Sequence, residues 1–511
     1  MLSHNRANSR TANLQTDEFF RPRLDFNKRN MQRIPITKVH EWLHKSPRAI
    51  RRLPTEIIAP LLDRAVTYTF LWRVALAFSY AGTGLCVSRL LTPVLQGYYF
   101  AFDNLLSFRI VAELGLSTVI LQWASHEAAG LSWTRDEWLN GSVAARQRLA
   151  SLLSGAIRWY TFAAAIYALG LSVVGVLFFR GASNADTVIW RLPWIFSVGA
   201  SAILIWLTPY WAFLEGCGRL AEAARARGVS TTVAAVSCWI TMAIGSALWA
   251  IPASLIAQSI TEMVLLGHYS GAIRQILKLP GDHNFSWRRD IWPFQIRLAI
   301  SWIAGYCLFT LAGPVVFRIK GPVIAGQFGL TLMIVQAIVT FGVAIVKTKA
   351  PEFGRLIKLG SMAELVRKYR IARRTMLIFV WASVISVGFA VIELNRWNVH
   401  GMARLLPPTE FLILLSSAVL NSLSHAQGVF LRAFRQEPYL RLSVTIGLIA
   451  IPATFLSATY GSMTTVTLSY LLITGVGACV WSSYIFAVRV RAIEGQALRE
   501  TPQEISLRYD A

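Results

Sequence analysis

Pro93-Val94-Leu95-Gln96-Gly97 returns 229 positions later as Pro322-Val323-Ile324-Ala325-Gly326, and each copy joins one long apolar run to the next. Proline and glycine mark such turns because neither continues a helix readily. A second echo keeps the same order: Phe213-Leu214-Glu215 closes an apolar run ahead of an arginine-rich segment, and Phe430-Leu431-Arg432 closes another. Two matches in one order point to an internal duplication. Two copies with an even number of membrane spans each have parallel orientation, as in carriers whose substrate path runs between two rocking bundles. Channels and membrane enzymes duplicate too, so this architecture favours transport without deciding it.

Outward from these turns, the 511 residues are 55% hydrophobic and 15% charged, with a mean hydropathy of +0.48. That balance is too apolar for a soluble globular chain. Runs able to cross hydrocarbon about 30 Å thick, roughly twenty residues each, begin with Phe70–Leu91, Tyr98–Ala124, Leu152–Phe179 and Trp194–Leu214. Val229–Ile251, the short Pro252–Gly267, Ile291–Phe317 and Pro322–Val346 follow, then Met376–Glu393, Phe411–Leu431, Ser443–Thr459 and Met463–Val488. The expectation is an all-α polytopic membrane protein with twelve transmembrane helices in two six-helix repeats, residues 70–290 and 291–490. Residues 491–511 form a short tail. Residues 1–69 form a longer one, with thirteen Lys/Arg against six Asp/Glu. Its later part sets Val39, Trp42 and Leu43 at helical spacing beside basic residues, which suits either an interfacial helix or a loosely ordered arm. No apolar core segment occurs before about residue 65, so the first transmembrane helix is expected to direct insertion.

The formal charge is +24, with 50 Lys+Arg against 26 Asp+Glu, and the isoelectric point near 10.4 would suit a nucleic-acid partner. The placement of the charge argues otherwise. With both termini on one side, the tail-side segments hold 39 Lys/Arg, the opposite loops hold six, and the spans hold five (Arg73, Arg89, Arg109, Arg158 and Arg297). Basic residues mark the cytoplasmic side and meet anionic headgroups there, so both termini are expected in the cytoplasm and no nucleic-acid partner is needed. Cys86, Cys217, Cys238, Cys307 and Cys479 are far apart and mostly inside apolar runs, implying neither disulfide framework nor metal cluster.

The sequence resembles the polysaccharide-export branch of the multidrug, oligosaccharidyl-lipid and polysaccharide (MOP) exporter superfamily, the flippases for lipid-linked sugars. The resemblance spans roughly residues 70 to 490. It rests on the Pro93…Gly97-Tyr98 turn, Glu113-Leu114-Gly115-Leu116-Ser117 with Gln122, Glu215-Gly216-Cys217-Gly218-Arg219, and Gly321-Pro322…Ala325-Gly326-Gln327. It implies a MATE-like fold, a V-shaped pair of bundles around a central cavity, in a bacterial inner membrane. It also implies an undecaprenyl-type lipid-linked sugar as substrate and no cofactor. The long basic tail departs from the usual short start and leaves open the docking of other polysaccharide-assembly proteins.

A charge near the bilayer centre costs about 2.5 to 3.5 kcal/mol on insertion scales, so such residues face a partner, a cavity or a substrate. If Tyr98 is near the outer surface, eleven residues put Arg109 about 16 Å deep, near the midplane. Glu113, one turn on, could form an intrahelical ion pair with it. Asp103 lies nearer the outer surface. Arg297 enters from the tail side and could either snorkel out or lie across the cavity from Arg109. Under the resemblance, cavity arginines hold the phosphate of the lipid carrier, making Arg109 and Arg297 the phosphate candidates and Arg89 a possible exit contact. Guanidinium forks suit phosphate because they bind its oxygens bidentately. Glu262, with Gln258 one turn before it, could take up a coupling proton or serve helix–helix hydrogen bonding. Asn421 and His425 share a face of the tenth span near Gln427. Trp206 and Trp302 are open to sugar stacking or packing, and Trp194 is expected to anchor at the membrane interface.

The longest expected external loops, Arg180–Pro193 and Leu394–Pro407, leave little room for an active site. The second holds Arg396, His400 and Arg404, which suit either solvated loop charge or a ligase-like cluster. No Gly-rich phosphate loop with its Lys-Ser/Thr, HExxH or paired CxxC occurs. Three functions are thus in play: a lipid-linked oligosaccharide flippase; a cation-coupled drug or metabolite antiporter relying on Glu113 and Glu262; and a membrane enzyme or scaffold of glycan assembly.

Overall fold

A computed structural model describes residues 64–497 apart from 135–138, 182–186, 282–286, most of 288–309, and 435–438. The long tail, Arg297, Trp302 and Cys307 lie outside the described residues. Helix α1 (Arg64–Leu90) ends just before Thr92, whose hydroxyl accepts the Leu95 amide hydrogen at 3.3 Å and caps α2 (Pro93–Leu106). Pro93 sits in the first turn, where its missing N–H costs nothing. The second expected span is not one helix. α3 (Arg109–Glu113) and α4 (Leu116–Ala128) follow α2, and a 41° bend separates α4 from the part before it. The hinge is two consecutive left-handed residues, Leu114 (φ 51°) and Gly115 (φ 70°).

A small antiparallel hairpin pairs β1 (Ser132–Trp133) with β2 (Leu139–Asn140). Then come α5 (Val143–Arg180), α6 (Arg191–Gly216), α7 (Leu220–Ala243), α8 (Ala250–Gly267) and α9 (Ser270–Leu277). The later part of the chain forms α10 (Ala312–Lys320), α11 (Pro322–Lys347), α12 (Ala350–Lys358), α13 (Met362–Arg396), α14 (Pro408–Arg432) and α15 (Leu440–Tyr460). It closes with α16 (Met463–Tyr470), which passes through a π-helical stretch, Leu471–Gly477, into α17 (Ala478–Ala497).

Among the described residues nine helices are long and apolar enough to cross a membrane, ten when the bent α2–α4 unit counts as one span. Two of the twelve expected spans remain. The fifth is α7, whose first two turns carry Glu222, Arg225 and Arg227. The seventh lies mostly outside the described residues, with α10 as its visible end. The sixth, expected to start at Pro252, takes in a turn of 3-10 helix from Ala247 and so reaches 21 residues, Ala247–Gly267.

The two copies of the repeated turn meet each other. A Cβ on Gly97 would run into the Pro322 carbonyl oxygen, and one on Gly326 would meet the Gly97 nitrogen, so α2 and α11 cross backbone to backbone. Buried Gln96 donates through Nε2 to the carbonyl oxygens of Gly326 (2.8 Å) and Arg404 (3.0 Å). Gln327 Nε2 donates to the Ala403 carbonyl oxygen at 2.9 Å, and the Leu406 amide donates to Thr331 Oγ1 at 3.2 Å. The chain before α14 is thereby strapped across both helix starts.

Beside this crossing lies an aromatic core of Tyr98, Phe102, Phe179, Trp190, Trp194 and Phe317. Trp194 is fully buried rather than interfacial. Its indole sits 5.0 Å from the Phe102 ring and 5.3 Å from that of Phe179, in the space left by Gly175, and donates to the Leu171 carbonyl oxygen at 3.3 Å. Satisfying the indole N–H inside the bundle removes its reason to seek the interface.

The crossing makes a direct prediction. Gly97→Val forces a branched side chain against a backbone carbonyl and is expected to destabilise the protein by about 1–3 kcal/mol, read as a lower melting temperature in detergent. Gly199→Val, at a helical glycine where an added Cβ meets nothing within 4 Å, is the control. Equal melting of the two variants would refute the tight crossing.

Candidate functional site: a charged cleft

The breaks in the second span leave backbone carbonyls without helical partners, and in an apolar layer neighbouring helices must supply them. Tyr167 of α5 donates to the Leu106 carbonyl oxygen at 2.9 Å, and Tyr306 to that of Asn104 at 3.2 Å. Gln295 Nε2 donates to the Leu114 carbonyl oxygen at 2.6 Å. A left-handed leucine costs roughly 1–2 kcal/mol, so these contacts hold a bend that Leu114 would not adopt on its own.

The bend places Arg109 and Glu113 at the two ends of the five-residue α3. Among the described residues no ion pair joins them, although the helical turn of α3 keeps their i,i+4 spacing. Instead Arg109 lies within electrostatic reach of Asp103, Glu113 and Glu262 together. Asp103 is exposed on α2. Glu262 is buried on α8, where its Oε1 accepts from Gln258 Nε2 at 3.0 Å and from Ser230 Oγ of α7 at 3.3 Å. The Gln258 bond lies within α8, and the one from Ser230 joins α8 to α7.

The Glu215-Gly216-Cys217-Gly218-Arg219 stretch serves packing. Glu215 pairs with Arg227, which stands 5.5 Å over the Trp72 ring. A Cβ on Gly216 would meet Ala124 and the Leu121 carbonyl oxygen, so its absence seats the end of α6 on α4. Arg219 lies 4.5 Å over Trp133 and pairs with Glu222 at 2.9 Å, while Trp133 Nε1 donates to the Cys217 carbonyl oxygen at 2.7 Å.

A second group of charges was not singled out in the sequence. α11 and α14 both start near the Pro322 crossing and end in Lys347 and Arg432, while α1 runs the other way and carries Arg73 in its third turn. Lys347 lies within electrostatic reach of Arg73 and Arg432, and His425 of Lys347 and Arg432. All four side chains are exposed. The sequence places Lys347 and Arg432 among the tail-side charges that set topology and counts Arg73 only as a span charge. The available signal was that Lys347 and Arg432 abut the ends of their apolar runs, at one level of the membrane.

Asn421, one turn before His425, is buried, and its Nδ2 has no hydrogen-bond partner. Arg89 is exposed in the last turn of α1, sixteen residues and about 24 Å along the helix from Arg73. It stands apart from Arg73 and the cations grouped with it. Trp206 of α6 is partly exposed, edge-on to Tyr210 at 5.4 Å. In the loop cluster, Arg396 pairs with Glu393 at 2.9 Å within the last turns of α13, while the Arg404 carbonyl accepts from Gln96 and so helps to hold the strap.

No protein-family model matches this chain, and no curated protein matches it. Solved structures do. An outward-facing multidrug resistance MATE family transporter of the MOP superfamily aligns at 14% identity and TM-score 0.55, covering 84% of this chain and 96% of that one. A MATE in complex with MaL6 aligns at 13% identity and TM-score 0.54 with the same coverage. A MOP superfamily transporter from Pyrococcus furiosus, described as having a binding pocket of reverse polarity, aligns at 14% identity and TM-score 0.51 over 84% of this chain and 95% of that one. The expected all-α, MATE-like polytopic fold is the fold of this chain.

Proposed function

We propose that this protein is a flippase that moves a lipid-linked oligosaccharide across the bacterial inner membrane by alternating access, with both termini cytoplasmic. The observation that carries the reading is the cation group Arg73, Lys347 and Arg432, delivered to one level by three helices and left accessible, with the His425 imidazole beside it. Guanidinium and ammonium groups at that spot fit the phosphate of an undecaprenyl-type carrier. Arg109 forms a deeper contact, with Arg297 as its expected companion. The lipid tail stays in the bilayer while the sugar passes through the cleft. The reversed pocket polarity described for the Pyrococcus furiosus neighbour supports treating charge sign as the variable that separates substrates on this fold.

The second reading, a cation-coupled drug or metabolite antiporter, draws on Asp103, Glu113 and Glu262, three carboxylates around one arginine. In the flippase these same groups carry the coupling proton. Alternatively the membrane potential, worth about 2.3 kcal/mol per charge per 100 mV, drives the step.

Two experiments decide. A charge-assisted phosphate contact is worth ~1.5–3 kcal/mol, about 10- to 100-fold. Cells carrying Arg73→Ala with Lys347→Ala at verified abundance are therefore expected to trap lipid-linked intermediates in the cytoplasmic leaflet and lose export at least tenfold. Arg109→Ala with Arg297→Ala is expected to do the same, and normal export in both double variants would refute the phosphate site. For the second reading, the protein is expected to give no survival advantage against cationic dyes. A dye resistance lost in Glu113→Gln or Glu262→Gln would instead establish the antiporter.

A further inference from the structure

The start of α13 reads Arg367-Lys368-Tyr369-Arg370-Ile371-Ala372-Arg373-Arg374, followed by eighteen residues, Thr375 to Ile392, without a charge. Eighteen helical residues rise about 27 Å, close to the thickness of the hydrocarbon layer. Arg374 therefore marks the headgroup level, and Trp381, seven residues on, lies about 10 Å deeper. Positions 370, 373, 374, 377, 378 and 381 recur at helical spacing and form one face.

That face is open. A shallow groove of about 670 Å³ runs along it, lined by Arg370, Arg373 and Arg374 at one end and by Leu377, Ile378 and Trp381 at the other, all of α13. A second cavity of about 400 Å³ shares Arg370 and Arg373 and extends between α14 and α17 to Gln427, Ser483 and Arg491. Among the described residues no carboxylate lines either one. The cations on the other faces of the helix are neutralised, Lys368 by Glu352 at 2.7 Å and Arg367 by Glu364 at 3.7 Å. Gln427 is 3% exposed and donates through Nε2 to Ser483 Oγ at 2.9 Å. Its Oε1 has no hydrogen-bond partner. A buried amide oxygen of that kind calls for a donor.

We propose that this groove holds one anionic phospholipid of the tail-side leaflet. Its phosphate sits on Arg373 and Arg374 with Arg370 beside them, a headgroup hydroxyl reaches Gln427 Oε1, and an acyl chain lies along Leu377, Ile378 and Trp381. The occupant must combine a negative head with an apolar chain, because guanidinium groups and an aliphatic track lie on one continuous face across the headgroup boundary. Basic pockets between helices at this depth recognise anionic lipids. The site is separate from the cleft and does not depend on the transport reading.

The test uses the full-length protein, delipidated in detergent and titrated with phosphatidylglycerol or with phosphatidylcholine of the same chains, bound lipid being counted by native mass spectrometry. Phosphatidylglycerol is expected to bind at least tenfold more tightly. Arg373→Gln with Arg374→Gln is expected to weaken it about 25-fold, roughly fivefold for each arginine, at an unchanged melting temperature. Gln427→Leu is expected to reduce the preference for phosphatidylglycerol over phosphatidic acid. Should the double variant melt early, Trp381→Ala serves instead, weakening lipid binding while leaving any binding of inorganic phosphate unmoved. Equal binding of the two lipids, wild-type binding by the variants, or displacement by millimolar inorganic phosphate would overturn the lipid site, the last showing a small-anion site instead.

Discussion

The contact on which the rest of the structure depends is the crossing of α2 and α11 at Gly97 and Gly326. Inside a bilayer no hydrophobic force draws one apolar helix to another, so association relies on close backbone approach and hydrogen bonds between helices. Both are present: neither glycine has room for a methyl group, and Gln96 spends its amide on the Gly326 and Arg404 carbonyls. The pairing has a symmetry reason. When two copies of a unit are related by an approximate two-fold axis, an element that touches its own counterpart lies on that axis. The repeated Pro-Val-x-x-Gly turn is therefore where the copies join as well as a sign that they are copies.

Closure at this end leaves its mark on the second span. Pro93 starts α2 at the crossing, and a straight helix would carry Glu113 and the residues beyond it on in the same direction. The left-handed pair Leu114-Gly115 turns the second part away, and Gln295 of the other sequence half caps the carbonyl that this exposes. The bend thus ties the two halves through a polar contact next to Glu113. Three carboxylates sit within reach of Arg109, so the first half carries an acid-rich polar cluster in place of the isolated ion pair that spacing allows.

Much of the fold was legible in the sequence because its signals are long and redundant. Runs of about twenty apolar residues, the lopsided Lys/Arg distribution and the repeated turn each reported on the same architecture, and the Phe-Leu-charge echo packs alike in both halves, with Phe213, Leu214, Phe430 and Leu431 all buried. What escaped was local or tertiary. Nothing in the propensity of Leu114 announces a positive φ. The β1–β2 hairpin is two residues wide, below the reach of periodicity. The place of Trp194 near a span end suggests the interface, whereas its environment is set by Phe102, Phe179 and Gly175 of the two preceding spans. Asp103, Arg109, Glu113 and Glu262 were found as candidates because intramembrane charge is conspicuous, while Lys347 and Arg432 were hidden by residing where any membrane protein places cations.

That concealment carries a physical point. The positive-inside bias already demands cations at the tail-side ends of the spans. An anion site built from them adds almost no insertion cost, while each charge sited at the midplane costs about 2.5 to 3.5 kcal/mol. The chain follows that economy, with Arg73, Lys347 and Arg432 grouped near the ends of their spans and Arg109 set among carboxylates. For an anionic substrate the arrangement is attractive at entry and repulsive further in, unless the carboxylates are protonated. On the proposed reading, proton uptake by Asp103, Glu113 and Glu262 is what converts a binding site into a path. The sign of the coupling then follows from the order in which the substrate meets the two clusters.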